Sequence, residues 1–171
     1  MAHAAPPGRG GIAALAFRII TGWAILGGIV LLVVALMNVA SVIGGIFGQP
    51  FPGDFEITEM GVAIAAFSFL PYCQLTGANV TADIFTARAS ARAIALFALL
   101  ASLVAFLFSA LLLWRMYAGL LNQQEYNYTT TILQIPIWWA FVPVLISLAL
   151  LVVASAITLR QAGAELAGRQ P

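Results

Sequence analysis

The sequence predicts an all-α integral membrane protein with four transmembrane helices. Hydrophobic residues make up 63% of the chain and charged residues 8%, against about 45–50% and about 25% in soluble domains. Four apolar segments are each long enough to cross the roughly 30 Å hydrocarbon core as a helix. None shows the two-residue alternation of a membrane barrel strand. We therefore expect one membrane domain over residues 1–171, with spans at about residues 19–44, 57–76, 93–118 and 136–159.

The arginines predict the orientation of these spans. The chain has no lysine, and every arginine except Arg115 lies before span one, between spans two and three, or after span four. Cytoplasmic loops carry the excess of basic residues in membrane proteins, so both termini are expected in the cytoplasm. Apolar residues at helical spacing also predict short interfacial helices before span one and between spans two and three.

Polar residues inside or beside the first two spans are the first candidates for a site. Asn38 lies in the outer half of span one, where its amide is expected to bond to a neighbouring helix or to water. A ligand role for it stays open. Glu56 and Glu59 open span two on one helical face. They complement the positive end of the helix dipole, bind a partner, or form a paired-carboxylate site, although no histidine or nucleophile stands beside them.

The segment after span two carries a second polar group. Asn79 and Asp83 are expected to fix a cytoplasmic interfacial segment against Arg88 or against a partner. A connecting turn without partner contacts is the alternative.

Span three carries small residues at heptad spacing. Ala95, Ala98, Ser102 and Ala105 form a stripe along which two backbones can pack closely. Leu99, Phe106 and Leu113, on the other side, are expected to face lipid. Arg115 is placed near the outer end of the span, where it reaches the headgroups or pairs with an outer acid, or else has a function in the membrane.

Several function classes are excluded by the residues the chain lacks. The only histidine is His3, so no span offers a haem or zinc ligand of that type. A phosphate loop needs a lysine, and a small proton-coupled exporter needs an acid within a span. A net charge of +1 does not favour a nucleic-acid partner. We expect no catalytic residue, no metal and no bound cofactor.

The order of the spans and the motif that follows span two resemble those of a known transporter family. A basic lead-in precedes a first span with Asn38-Val39, Glu56 and Glu59 open the second, and a Gly77-x-Asn79-Val80-x-x-Asp83 segment follows. This resembles the small transmembrane subunit of tripartite ATP-independent periplasmic (TRAP) transporters, over residues 12–159. Asn79 stands where histidine is common in that family, and the family's arginine after Asn-Val is absent.

The resemblance implies a non-catalytic scaffold subunit in the bacterial inner membrane. In such systems a periplasmic solute-binding protein captures an organic anion, and a large membrane permease subunit carries the substrate and sodium sites. Sodium coupling is therefore expected in the large partner, as a separate polypeptide, and not in this chain. The alternative function is a self-sufficient four-span membrane enzyme or small exporter.

Overall fold

The computed structural model describes residues 11–77 and 91–167, which form four helices. These are α1 (Gly11–Ile46), α2 (Asp54–Thr76), α3 (Ala91–Glu125) and α4 (Trp138–Leu166). The described residues contain no strand, only an isolated antiparallel bridge between Thr129 and Pro136. The all-helical class predicted from the sequence is confirmed.

Three of the four helices are long and apolar enough to cross a membrane. The qualifying stretches are Ala13–Ile46, Ala93–Glu125 and Trp138–Ala164. α2 is shorter, at 23 residues, and is less apolar because it holds three acids near its start and Gln74 near its end. Its role as a fourth span stays a prediction.

The first span extends further than the sequence predicted. α1 runs without a break for 36 residues, or roughly 54 Å at 1.5 Å per residue. The predicted interfacial lead-in is therefore the first part of this helix and not a separate element, since no proline interrupts it. The second predicted interfacial helix, with Asn79, Asp83 and Arg88, lies outside the described residues.

The helices pack as a layer in the spatial order α1, α2, α4, α3. α2 contacts both α1 and α4, and α4 contacts both α2 and α3, while α1 and α4 touch only lightly. Small residues allow the close approaches: a Cβ at Gly27 would lie 2.5 Å from the Cβ of Ser68, and one at Gly61 would overlap Val34. α1 and α3, at the edges of the layer, keep broad exposed apolar faces.

Candidate partner-binding surfaces

Charge divides the bundle into two ends. Asp54, Glu56 and Glu125 lie at the first end, where α2 begins and α3 finishes, which we call the acidic end. Arg18, early in α1, and Arg160, late in α4, mark the other end, which we call the arginine end, although α4 also has Glu165 there. No ion pair joins described residues of opposite charge. These charged side chains can therefore contact lipid headgroups, water or another protein, except where hydrogen bonds within the chain already engage them.

At the acidic end, Glu56 holds the connection between α3 and α4. Its Oε1 accepts a hydrogen bond from the amide of Ile132 at 2.6 Å, and its Oε2 accepts one from the amide of Leu133 at 3.0 Å. The side chain of Leu133 lies against Gly53, whose φ of 76° is a left-handed conformation that suits glycine. Glu56 thus fastens the start of α2 to a loop more than seventy residues later in the chain.

That loop is itself a small hairpin over residues 128–137, which we call the acidic-end hairpin. The amide of Thr130 donates to the carbonyl of Ile135 at 2.9 Å, and the amide of Ile137 donates to the carbonyl of Tyr128 at 3.0 Å. Gln134 adopts a positive φ of 56° within the turn. The turn leaves the amides of Ile132 and Leu133 free to meet the carboxylate.

The Glu56 carboxyl titrates below its ordinary range. Partial desolvation raises its pKa, whereas several hydrogen bonds lower it. The lowering bonds come from the amides of Ile132, Leu133 and Thr131 and from the hydroxyl of Thr130. These bonds favour the charged form, and together they prevail, so the pKa is lowered. At neutral pH the carboxylate is charged and the hairpin stays fastened.

Two further hydrogen bonds tie α1 to the start of α2. The Ser41 hydroxyl donates to Oδ2 of Asp54 at 2.5 Å, and the amide of Asn38 donates to Oγ1 of Thr58 at 2.7 Å. Asn38 also donates to the carbonyl of Val34 at 2.9 Å. The structure thus places Asn38 in a helix-to-helix contact, as the simpler interpretation of the sequence expects.

Glu59 differs from Glu56 because its carboxylate is exposed. It makes no hydrogen bond or ion pair with any described residue. Although the two acids share a helix face in sequence, only Glu59 presents a free carboxylate on this surface. It is the better of the two for meeting a partner.

Buried serines link the helices about halfway along the layer, and these contacts were not predicted from the sequence. The indole of Trp23 in α1 donates to Oγ of Ser147 in α4 at 2.8 Å, and Ser147 lies 3.5 Å from Oγ of Ser68 in α2. Ser109 in α3 and Ser155 in α4 are joined at 3.1 Å. All four serines are at most 2% exposed.

This serine network cannot be recognised in the sequence, because each serine hydroxyl can donate a hydrogen bond to a backbone carbonyl of its own helix. Ser147 donates to the carbonyl of Pro143 at 2.8 Å and Ser68 to that of Ile64 at 2.8 Å. Only the packing shows that they also face each other. Near the arginine end, Gln74 adds a bond to Thr158 at 3.0 Å. α4 therefore shares polar contacts with every other helix.

The predicted small-residue stripe of α3 is only partly covered. Ala95, Ser102 and Ala105 are half-buried, whereas Ala98 is exposed. Leu99, expected to face lipid, lies near Gly163 of α4. Ser109, one turn past Ala105 in the same stripe, bonds to Ser155 of α4, so the later part of the stripe faces α4 and Leu99 shares that face.

Arg115 lies on α3 well before the helix ends, and its side chain is exposed. It pairs with none of the acids of the described residues. Of the other predicted site residues, Asn79, Asp83 and Arg88 lie outside the described part. In the part that is described, no three histidine, cysteine or acidic side chains come together as a metal site.

The comparisons with known proteins decide the family. The model of the family described as "Tripartite ATP-independent periplasmic transporters, DctQ component" matches residues 31–163. The chain belongs to this family. The match extends from the middle of α1 almost to the end of α4, so it includes part of every helix. No curated protein and no solved structure matches the chain.

Membership of the DctQ family confirms the resemblance read from the sequence. The chain is a small membrane subunit of a TRAP transporter. This family is a transporter component and not a known enzyme family.

Proposed function

We propose that this DctQ subunit is a non-catalytic scaffold for a separate large permease subunit in a sodium-coupled importer of organic acids. A periplasmic solute-binding protein delivers the substrate, and the large subunit carries the substrate and sodium sites. The observation that carries the proposal is the family match together with the open layer of helices. A layer with two exposed apolar edges suits a protein that packs these edges against a larger membrane partner.

The hydrogen bonds support the scaffold role. Buried serines, Trp23 and Gln74 link α4 to its neighbours, and Glu56 fastens the acidic-end hairpin. Polar contacts between helices stabilise a membrane bundle modestly, at about 0.6 kcal/mol each on average. Several such contacts spread over the layer favour one fixed arrangement of the four helices. A fixed layer can hold a partner whose other parts move.

The two charged ends support a four-span topology in the bacterial inner membrane. Arg18 and Arg160 lie at one end and Asp54, Glu56 and Glu125 at the other. We place the arginine end in the cytoplasm and the acidic end in the periplasm, because basic residues are retained on the cytoplasmic side. Glu59, exposed near the acidic end, then faces the side from which the binding protein approaches.

The test is uptake by the assembled transporter. The chain is co-expressed with the large subunit of the same transporter, purified, and reconstituted with the binding protein and a sodium gradient. Stoichiometric co-purification and sodium-dependent uptake that stops when this chain is omitted are expected. Uptake or catalysis by this chain alone in vesicles would overturn the scaffold role and favour the self-sufficient exporter or enzyme.

The two acids of α2 provide a finer test. Glu59→Gln removes an exposed charge and is expected to reduce uptake at low concentrations of binding protein, with expression and assembly intact. Glu125→Gln is the matched control, as another exposed acid at the same end. If both variants take up substrate like the wild type, Glu59 does not meet the binding protein.

A further inference from the structure

Arg115 belongs to an exposed face of α3. Val104, Phe108 and Leu111 precede it at helical spacing, and they are 65%, 58% and 50% exposed. We call these four residues the Arg115 face. Ser109, which bonds to α4, is only 1% exposed and lies about 120° around the helix from Arg115. No described helix covers the Arg115 face.

The packing against α4 shows how deep Arg115 lies. On α3, Arg115 stands between Ser109, which bonds to Ser155 of α4, and Gly119, which lies against Phe141 of α4. Arg115 is therefore level with the part of α4 between Phe141 and Ser155. At 1.5 Å per residue, that level is about 13 Å along the axis from the start of α4.

This depth is inside the apolar band. α4 starts with Trp138 and Trp139, which are residues typical of the membrane interface. Arg160, on the same helix, lies about 20 Å from the level of Arg115 in the other direction. The sequence placed Arg115 at the outer end of span three because the span was expected to finish near residue 118. α3 instead continues to Glu125.

An arginine at this depth favours an anionic partner, because its charge is costly in an apolar surrounding. Charged residues within membrane spans almost always pair or face the protein interior. Asp54 is engaged by Ser41, and Glu56 by the acidic-end hairpin. Glu125 lies ten residues further along α3, roughly 15 Å away along the axis, and neither it nor Glu59 pairs with Arg115. A second copy of this chain would bring another Arg115 to the same face, and like charges repel. Lipid phosphates lie at the headgroup level, above the apolar residues of the face.

We propose that a transmembrane segment of the large permease subunit packs on the Arg115 face and supplies a carboxylate to Arg115. This inference rests on the proposed function, since it names the partner's contact. Val104, Phe108 and Leu111 form the apolar part of the interface, and Arg115 fixes the depth at which the segment docks. Truncating one member of a buried ion pair leaves the other charge unpaired, so the contact is sensitive to single changes.

The experiment measures assembly with the co-expressed large subunit. Arg115→Gln is expected to raise the dissociation constant of the complex by roughly 30-fold or more. Arg115→Lys should raise it by less, because lysine keeps the charge. Arg160→Gln, which removes an exposed arginine at the arginine end, is the matched control and should leave affinity unchanged. Helicity and elution of each isolated variant verify that it folds.

Charge reversal identifies the carboxylate. Arg115→Glu should abolish assembly, and changing one intramembrane acid of the large subunit to lysine should restore it. Wild-type affinity of Arg115→Gln, or equal losses in Arg115→Gln and Arg160→Gln, would overturn the inference while leaving the scaffold role intact. Failure of the wild-type chain to bind the large subunit would overturn the scaffold role itself.

Discussion

Replacing Gly61 tests how closely α1 and α2 must approach. Gly61 is buried in α2, and a Cβ added there would overlap Cγ2 of Val34 and lie 3.9 Å from Cγ1 of Val30. Val34 is only 5% exposed. A valine in a helix has one strongly preferred rotamer, so its side chain cannot swing aside. Gly61→Ala must therefore push the two helices apart.

The size of the effect follows from the cost of overpacking. Inserting a carbon into a tightly packed site costs about 1–3 kcal/mol. In a chain of this size each kcal/mol changes the melting temperature by roughly 2–4 °C, so a loss of about 2–12 °C is expected. Alanine also favours a helix interior over glycine by up to about 1 kcal/mol, which offsets part of this loss.

A matched control isolates the clash from that helix preference. Gly22, in α1, has nothing within 4 Å of an added Cβ, so Gly22→Ala gains the preference without the clash. Melting is followed by detergent-solubilised size-exclusion after heating. Gly61→Ala combined with Val34→Ala should recover most of the loss, because the overlapping carbon is gone. If Gly61→Ala melts like Gly22→Ala, or if the double variant is no better than the single one, the close approach of α1 and α2 is wrong.

Three other predictions concern separate parts of the molecule. Glu56→Gln should loosen the acidic-end hairpin, seen as faster labelling of a cysteine at Thr131 in a Cys73→Ala background, whereas Glu59→Gln should not. The pKa of Glu56 is lowered in the folded protein. Glu56 therefore holds the hairpin fully above the ordinary carboxyl pKa, and this contribution is lost as the pH falls through the lowered pKa. A labelling rate that does not rise on acidification would contradict this. A double-mutant cycle of Ser109→Ala and Ser155→Ala should give a coupling of roughly 0.6 kcal/mol and at most about 1.7, with additive melting shifts refuting a direct bond. A cysteine at Gln124 should react with an impermeant reagent in intact cells and one at Ser90 should not; labelling at Ser90 would reverse the topology.

Much of the helical framework could be predicted from residue types alone. Long uncharged apolar runs without two-residue alternation are helical in a bilayer, because a helix satisfies every backbone polar group within its own segment. The ends were harder to predict. α3 continues past Tyr117 to Glu125 because no proline lies between them, although Gly119 weakens a helix and apolarity declines there.

The contacts between segments could not be predicted in the same way. Glu56 is an ordinary first-turn acid in sequence, and only the turn near Gln134 brings the amides of Ile132 and Leu133 to it. The stripe of α3 shows a different difficulty. Small residues mark where close packing is possible, but the structure places Leu99 beside Gly163 and leaves Ala98 exposed. Which face packs depends on the neighbouring helix.

The spatial order of the layer also has a consequence for biogenesis. α1 and α2 are neighbours in the chain and in space, so this pair can assemble as soon as both have left the ribosome. α3 has its main contact with α4, which is synthesised later. During that interval α3 lies in the bilayer without its main neighbour, and its surface, Arg115 apart, is mostly apolar and suits contact with lipid. α4 then joins two separately inserted pieces, so a truncation before Trp138 would leave α3 unattached to the α1 and α2 pair.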